Sequence, residues 1–149
     1  MRPPYTQPRT LKLGNTNFIL PDAIEWLTPA GAPPNSIENA LLAGDHDTPG
    51  PYLTLIKWHP GYMSAPHTYI TDRFAFVISG IWWIGDGPDY DPAGCTPVPA
   101  GSFIHRPAGT PHYDGVISGA AEPAVIALSG IAPIHLEFVH PAEPPLRAA

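Results

Sequence analysis

Gly101-Ser-Phe-Ile-His105-Arg106-Pro107-Ala-Gly109-Thr-Pro-His112-Tyr-Asp114 is the stretch whose reading decides the fold. It predicts a strand over 102–106, a tight turn at Pro107-Ala-Gly109, and a second strand over 112–117. Proline fixes φ near the value a turn needs, and glycine reaches φ > 0 without steric cost. Such a turn can fold His105 back near His112. Strand parity groups His105 with Phe103, opposite Ile104 and Arg106, and leaves open which face is inward.

A second organised segment lies upstream: Gly61-Tyr-Met-Ser-Ala-Pro-His67-Thr-Tyr69-Ile-Thr-Asp72-Arg73, running on to Gly80. On a strand, His67 and Tyr69 point to one face because side chains alternate with period two. Imidazole and phenol on one face make a plausible first shell for a metal or a substrate. Around these segments, strands are expected near 11–20, 37–43, 52–58, 66–69, 74–84, 96–98, 123–129 and 134–139. Ser36–Gly44 is ambiguous, since Ser36 can cap a short helix that Gly44 ends. Tyr52–Trp58 is almost continuously apolar, which suits a strand covered on both faces or placed in an interface. Residues 1–10 read as a flexible arm, 11–140 as one barrel domain, and 141–149 as a flexible tail.

The composition agrees with short strands and tight turns. The chain has 149 residues, one domain's worth, and its 22 prolines and 14 glycines are spread through it. Between them sit runs such as Phe74-Ala-Phe-Val-Ile78, which argues for an all-β barrel or sandwich rather than disorder. Thirteen acidic residues against seven basic ones give a net charge of −6. Nucleic-acid binding needs basic clusters, and none is visible. No apolar run approaches the roughly 18 residues of a membrane span, and no secretory h-region opens the chain. The cytoplasm is the default location, with the periplasm left open. Cys95 is the only cysteine, so no intrachain disulfide forms. No Gly-x-Ser-x-Gly elbow and no phosphate-cradling loop before a helix is present.

The two His-bearing segments resemble the paired motifs of the cupin superfamily, in particular small single-domain bacterial cupins. The first cupin motif runs Gly, five residues, His, one, His, three or four, Glu, six, Gly, and Gly61, His67 and Gly80 fall on it. The second runs Gly, five, Pro, one, Gly, two, His, three, Asn, and Gly101, Pro107, Gly109 and His112 fall in register. The resemblance covers roughly 37–139. It implies a double-stranded β-helix, a jelly-roll barrel, here with an N-terminal strand extension. It also implies a metal site of two His and one Glu from the first motif and one His from the second.

The first motif is degenerate here. Tyr69 stands at the second His position, Arg73 at the Glu and Val116 at the final Asn. Arginine stays protonated and has no lone pair to give a metal. The candidate metal ligands are therefore His67 and His112, with His105 or Tyr69 completing the site. The candidate catalytic groups are His67, His112, Arg73 and Tyr69. One divalent transition metal (Fe, Zn, Ni or Mn) is the cofactor expected if any is bound, and a metal-free site is the alternative. Arg73 either pairs with an acid such as Asp72 or Asp114, or holds a substrate carboxylate in its planar fork. Trp82 and Trp83 cannot share a face. His46, His59, His135 and His140 read as structural.

The expected function is an enzyme acting on a small carboxylated or aromatic metabolite. Its chemistry is either metal-dependent and oxygenase-like, or His/Arg acid–base chemistry of the isomerase or lyase kind. A non-catalytic ligand-binding or sensor module is the alternative. A homodimer is expected, because the Tyr52–Trp58 edge would otherwise expose unpaired backbone.

Overall fold

The computed structural model describes residues 11–149. The arm expected over 1–10 lies outside the described residues. β1 (Leu11–Leu13) and β2 (Thr16–Phe18) form a hairpin, which is how the expected 11–20 strand is realised. The barrel is built from β3 (Ile37–Ala43), β4 (Gly50–Trp58), β5 (Tyr62–Ser64), β6 (His67–Tyr69), β7 (Arg73–Ser79) and β8 (Ile81–Asp86). It continues with β9 (Thr96–Pro99), β10 (Phe103–Arg106), β11 (His112–Val116), β12 (Ala124–Ala132), β13 (Leu136–Phe138) and β14 (Leu146–Ala148). Helix is confined, among the described residues, to two three-residue 3₁₀ turns at Pro21–Ala23 and Pro92–Gly94. One antiparallel sheet runs β10-β7-β12-β4-β3. The other runs β13-β6-β11-β5-β14, with β8 joined to β11 and carrying β9. This is the all-β jelly-roll barrel the sequence pointed to.

The core lies between the two sheets. Tyr52 and Trp58 of β4, Ala75 and Val77 of β7 and Ile126 and Leu128 of β12 meet Trp82 of β8 and Val116 of β11. Each large apolar side chain buried there contributes about 1.5–3 kcal/mol. β7 alternates without a break: Arg73, Ala75 and Val77 are buried, while Phe74, Phe76 and Ile78 are exposed. Trp82 is inward, and Trp83, on the opposite side of β8, is partly buried. A smaller cluster of Met63, Cys95 and Tyr113 lies behind β11, where the Tyr113 hydroxyl donates to Asp91 O at 3.1 Å.

Several expectations are corrected. The stretch 74–84 is two strands, divided at Gly80. Its φ is +72°, and a Cβ there would lie 2.3 Å from Pro123 O, so only glycine fits. The ambiguity at Ser36–Gly44 resolves to the expected strand, Ile37–Ala43, because β3 pairs along most of β4. For the same reason Tyr52–Trp58 is not a sheet edge: β4 is enclosed by β3 and β12. The unpaired edge beside β7 belongs to β10, whose outer face carries Phe103 next to Phe74 and Phe76. The C-terminal stretch is not a loose tail. Leu146–Ala148 pairs with β5, and Ala65 N–H donates to Pro145 O at 2.8 Å. Two prolines and a three-residue strand gave no periodic signal to read. Among the described residues, no helix is long and apolar enough to cross a membrane.

Candidate functional site in the barrel interior

β6 and β11 lie side by side, with His67 and His112 as direct partners in the ladder. The Pro107-Ala-Gly109 turn is what brings them into register. Gly109 takes φ +72°, and its N–H donates to Tyr69 O at 2.8 Å, tying the second motif to the strand of the first. The two imidazole rings are 4.3 Å apart, centroid to centroid. His67 Nδ1 lies 2.7 Å from Ala65 O, and His112 Nδ1 lies 2.8 Å from Thr110 O. A carbonyl only accepts, so each Nδ1 carries the hydrogen and each Nε2 keeps its lone pair. His112 Nε2 is buried and has no hydrogen-bond partner.

Asp114 completes the group. It shares the inward face with His112 by strand parity, and its Oδ2 is 4.0 Å from His112 Nε2. Three bonds fix it. Trp82 Nε1–H donates to Oδ1 at 3.2 Å, Arg106 Nη1–H donates to Oδ2 at 3.3 Å, and its own backbone N–H donates to Ser64 Oγ at 3.0 Å. Donor atoms of His67, His112 and Asp114 all lie within 4.8 Å of one another.

The charge states follow from burial and neighbours. Burial pushes His112 down to about 3, and the nearby Arg106 pushes the same way. Burial lowers His67 as well, against the pull of Asp114. Both imidazoles are therefore neutral near pH 7. Burial alone would raise Asp114, but Arg106, His112, His67 and Arg73 together hold it below the usual carboxylate range. Burial raises the Tyr69 phenol, and Arg73 offsets that only in part. A phenol that keeps its proton is a hydrogen-bond donor. Its ring is stacked 6.0 Å from His112 and lies 3.8 Å beneath the Arg73 guanidinium.

His105 does not complete the site. It sits on the outer face of β10, 44% exposed, with Nε2 2.9 Å from Asp72 Oδ2 and its ring stacked on Phe74. Parity leaves Ile104 and Arg106 facing inward instead. Arg73 faces inward too, and its pairing with Asp72 is excluded because that carboxylate is on the outside, bonded to His105 and to Ala108 N–H. His59 and His135 bond to Glu38 and Glu137, as structural histidines do. Asp114 and Arg106 are the site residues that sequence reasoning missed as such. Counting two from His112 finds Asp114; Arg106 needed the inward face of β10 to be known.

The site opens on a cavity of about 710 Å³. Ser64, His67, Tyr69, Arg73, Arg106 and Asp114 form its polar end, and Ile56, Trp58, Leu128, Ile134 and Phe138 are among its apolar walls. His112 stands just behind His67 with 1% exposure. The segments at 29–33 and 144–146 line it too. The residues fit a divalent transition metal. Two neutral imidazoles, each oriented through Nδ1–H to a backbone carbonyl, and one carboxylate form a two-His, one-carboxylate set. An orphaned buried nitrogen such as His112 Nε2 costs about 1–3 kcal/mol, which a ligand removes.

A two-sheet jelly roll with an inward His-bearing face on β6 and β11 defines a cupin-fold protein. Solved structures of similar shape include one described as a cupin. An RmlC-like cupin from Shewanella frigidimarina superposes with a TM-score of 0.57 at 11% identity, covering 76% of this chain and 88% of that one. The polyketide cyclase RemF from Streptomyces resistomycificus gives 0.64 at 15% identity, over 90% and 85%. KdgF from Halomonas sp. gives 0.58 at 18% identity, over 77% and 93%. At these identities the likeness is one of fold. No sequence-family model and no curated protein matches the chain.

Proposed function

We propose that the protein is an enzyme that transforms a small organic molecule inside the barrel, with a divalent transition metal held by His67, His112 and Asp114. The observation that carries this reading is the orphaned Nε2 of His112, buried within reach of donors on His67 and Asp114, which themselves line a ligand-sized cavity. Such a metal supplies Lewis-acid polarisation or dioxygen binding when present. Imidazole and carboxylate donors suit Fe, Zn, Ni or Mn. The chain's own residues supply the rest. Ser64, Trp82 and Arg106 fix Asp114, Ala65 O and Thr110 O fix the imidazoles, and the apolar walls exclude water. That a protein of similar fold is described as a polyketide cyclase is in keeping with small-molecule chemistry.

A second reading is supported by the two guanidiniums beside neutral imidazoles. With no metal, His67 is placed to take a proton from a bound substrate and Arg73 to stabilise the oxyanion that develops, as in isomerase or lyase chemistry. Elemental analysis of untagged protein, after incubation with Zn, Ni, Mn or Fe(II) and desalting, tests the first reading. Near-stoichiometric metal is expected, and His112→Ala and Asp114→Asn lose it. Equal metal in wild type and variants, or none in any, overturns the metal site. A protein that retains metal and binds small molecules without turning any over is a binding module.

A further inference from the structure

Arg73 is 7% exposed, and among the described residues it makes no ion pair. Its Nε is buried without an acceptor, and the groups packed on it, the phenols of Tyr69 and Tyr52, carry no negative charge while they keep their protons. Arg106 is 8% exposed and does have a carboxylate, but its Nη2 is also buried without an acceptor. Both arginines line the cavity, and Asp114 is the only acidic residue lining it among the described residues. Two fixed cations against one carboxylate leave at least one surplus positive charge in a low-dielectric space. Protonating any histidine, or binding a metal cation, only raises that surplus. A buried charge with no counter-ion is very costly, so an anion is the missing member.

The walls say what kind of anion. Outside the polar end the lining is mostly apolar, with Asn39, His46 and Thr54 as further polar side chains and, among the described residues, no lysine or third arginine to pair a dianion. A single guanidinium matches a planar carboxylate through two parallel N–H bonds. The volume is in the range of small-ligand pockets. We propose that the barrel binds a small organic carboxylate with an apolar body, its charge anchored by Arg73 beside Arg106 and its body lying along Ile56, Trp58 and Leu128. This rests on the reading that the barrel interior is the functional site, and it names the substrate class of that site.

Calorimetric titration of the full chain, as purified and after EDTA treatment, tests this with hexanoate and phenylacetate against hexanamide and phenylacetamide. The two acids are expected to bind at least tenfold more tightly than their amides, with and without metal. Arg73→Gln is expected to weaken the acids at least tenfold and leave the amides unchanged. If circular dichroism shows that Arg73→Gln does not fold, Arg73→Lys keeps the charge and loses the fork, and several-fold weaker binding is expected. Equal binding of acids and amides, wild-type affinity in the folded variant, no binding of either acid, or tighter binding of inorganic phosphate overturns the carboxylate assignment. Carboxylate binding by a protein that takes up no metal overturns the metal reading alone. Metal uptake without carboxylate binding overturns the carboxylate alone.

Discussion

Arg73 and Arg106 stand directly opposite each other in the antiparallel ladder of β7 and β10, both pointing into the barrel. Like charges in that relationship are destabilising. Only Arg106 has a carboxylate, Asp114, to offset it. The two arginines should therefore respond oppositely to removal. Arg106→Met leaves Asp114 buried and without its main partner, at about 3 kcal/mol. Arg73→Met removes an unpaired charge and relieves the repulsion, so its cost is near zero or negative. Urea unfolding of both variants checks this, and equal destabilisation would show that Arg73 has a protein counter-charge.

Metal affinity should rise when the first motif is completed. Tyr69 and Arg73 both line the cavity beside His67, with the guanidinium 3.8 Å over the phenol ring. Tyr69→His with Arg73→Glu replaces a neutral donor and a cation by two ligands. A gain of roughly tenfold or more in Zn or Ni affinity is expected, the scale on which changes in and around a ligand set act. Competition against a chelating dye measures it. Unchanged affinity means the two positions are out of register with His67.

His105→Ala should leave metal content untouched, because His105 faces solvent across the strand from the site. The loss of its exposed bond to Asp72 should cost no more than about 1 kcal/mol. A fall in bound metal would place His105 in the site after all.

The stability of the metal-free protein should fall with pH in a defined window. His112 titrates at about 3 in the folded protein, burial being the main cause, against an ordinary histidine value of 6.5. Between those values the unfolded chain binds a proton that the folded chain does not. The stabilisation is fully present above pH 6.5 and is lost progressively as pH falls toward 3. Urea midpoints at pH 7, 5.5 and 4.5 should decline, and the decline should be shallower in His112→Gln. An identical slope in that variant would assign the effect elsewhere.

How much of this was legible in the chain depended on whether a residue's neighbours are close in sequence. His67 and His112 were legible because fixed glycines and a proline set their spacing and the turn between strands. The aim of Arg73 was left open by the residues themselves, and only the family pattern, which puts a ligand at that position, pointed inward. Which face of β10 is inward was not, since Phe103, Ile104, His105 and Arg106 alternate equally well either way. Pairing with β7, some thirty residues upstream, decides it. Asp114 was within reach by parity from His112, yet its role depends on Arg106 and Trp82, which come from two other strands. The C-terminal strand was hidden because β5 recruits it over only three residues.

The alternation of β10 has an evolutionary side. Its inward and outward positions carry opposite chemistries, arginine toward the cavity and imidazole toward solvent. Loss or gain of one residue between the Gly101 turn and Arg106 reverses every side chain that follows on the strand. Such a slip would turn the Arg106 guanidinium out of the barrel, turn an imidazole in, and leave Asp114 without its partner. One codon's insertion or deletion is thus enough to exchange the charge that β10 turns toward the cavity, a shorter path than the substitutions at two positions that rebuilding the first motif requires.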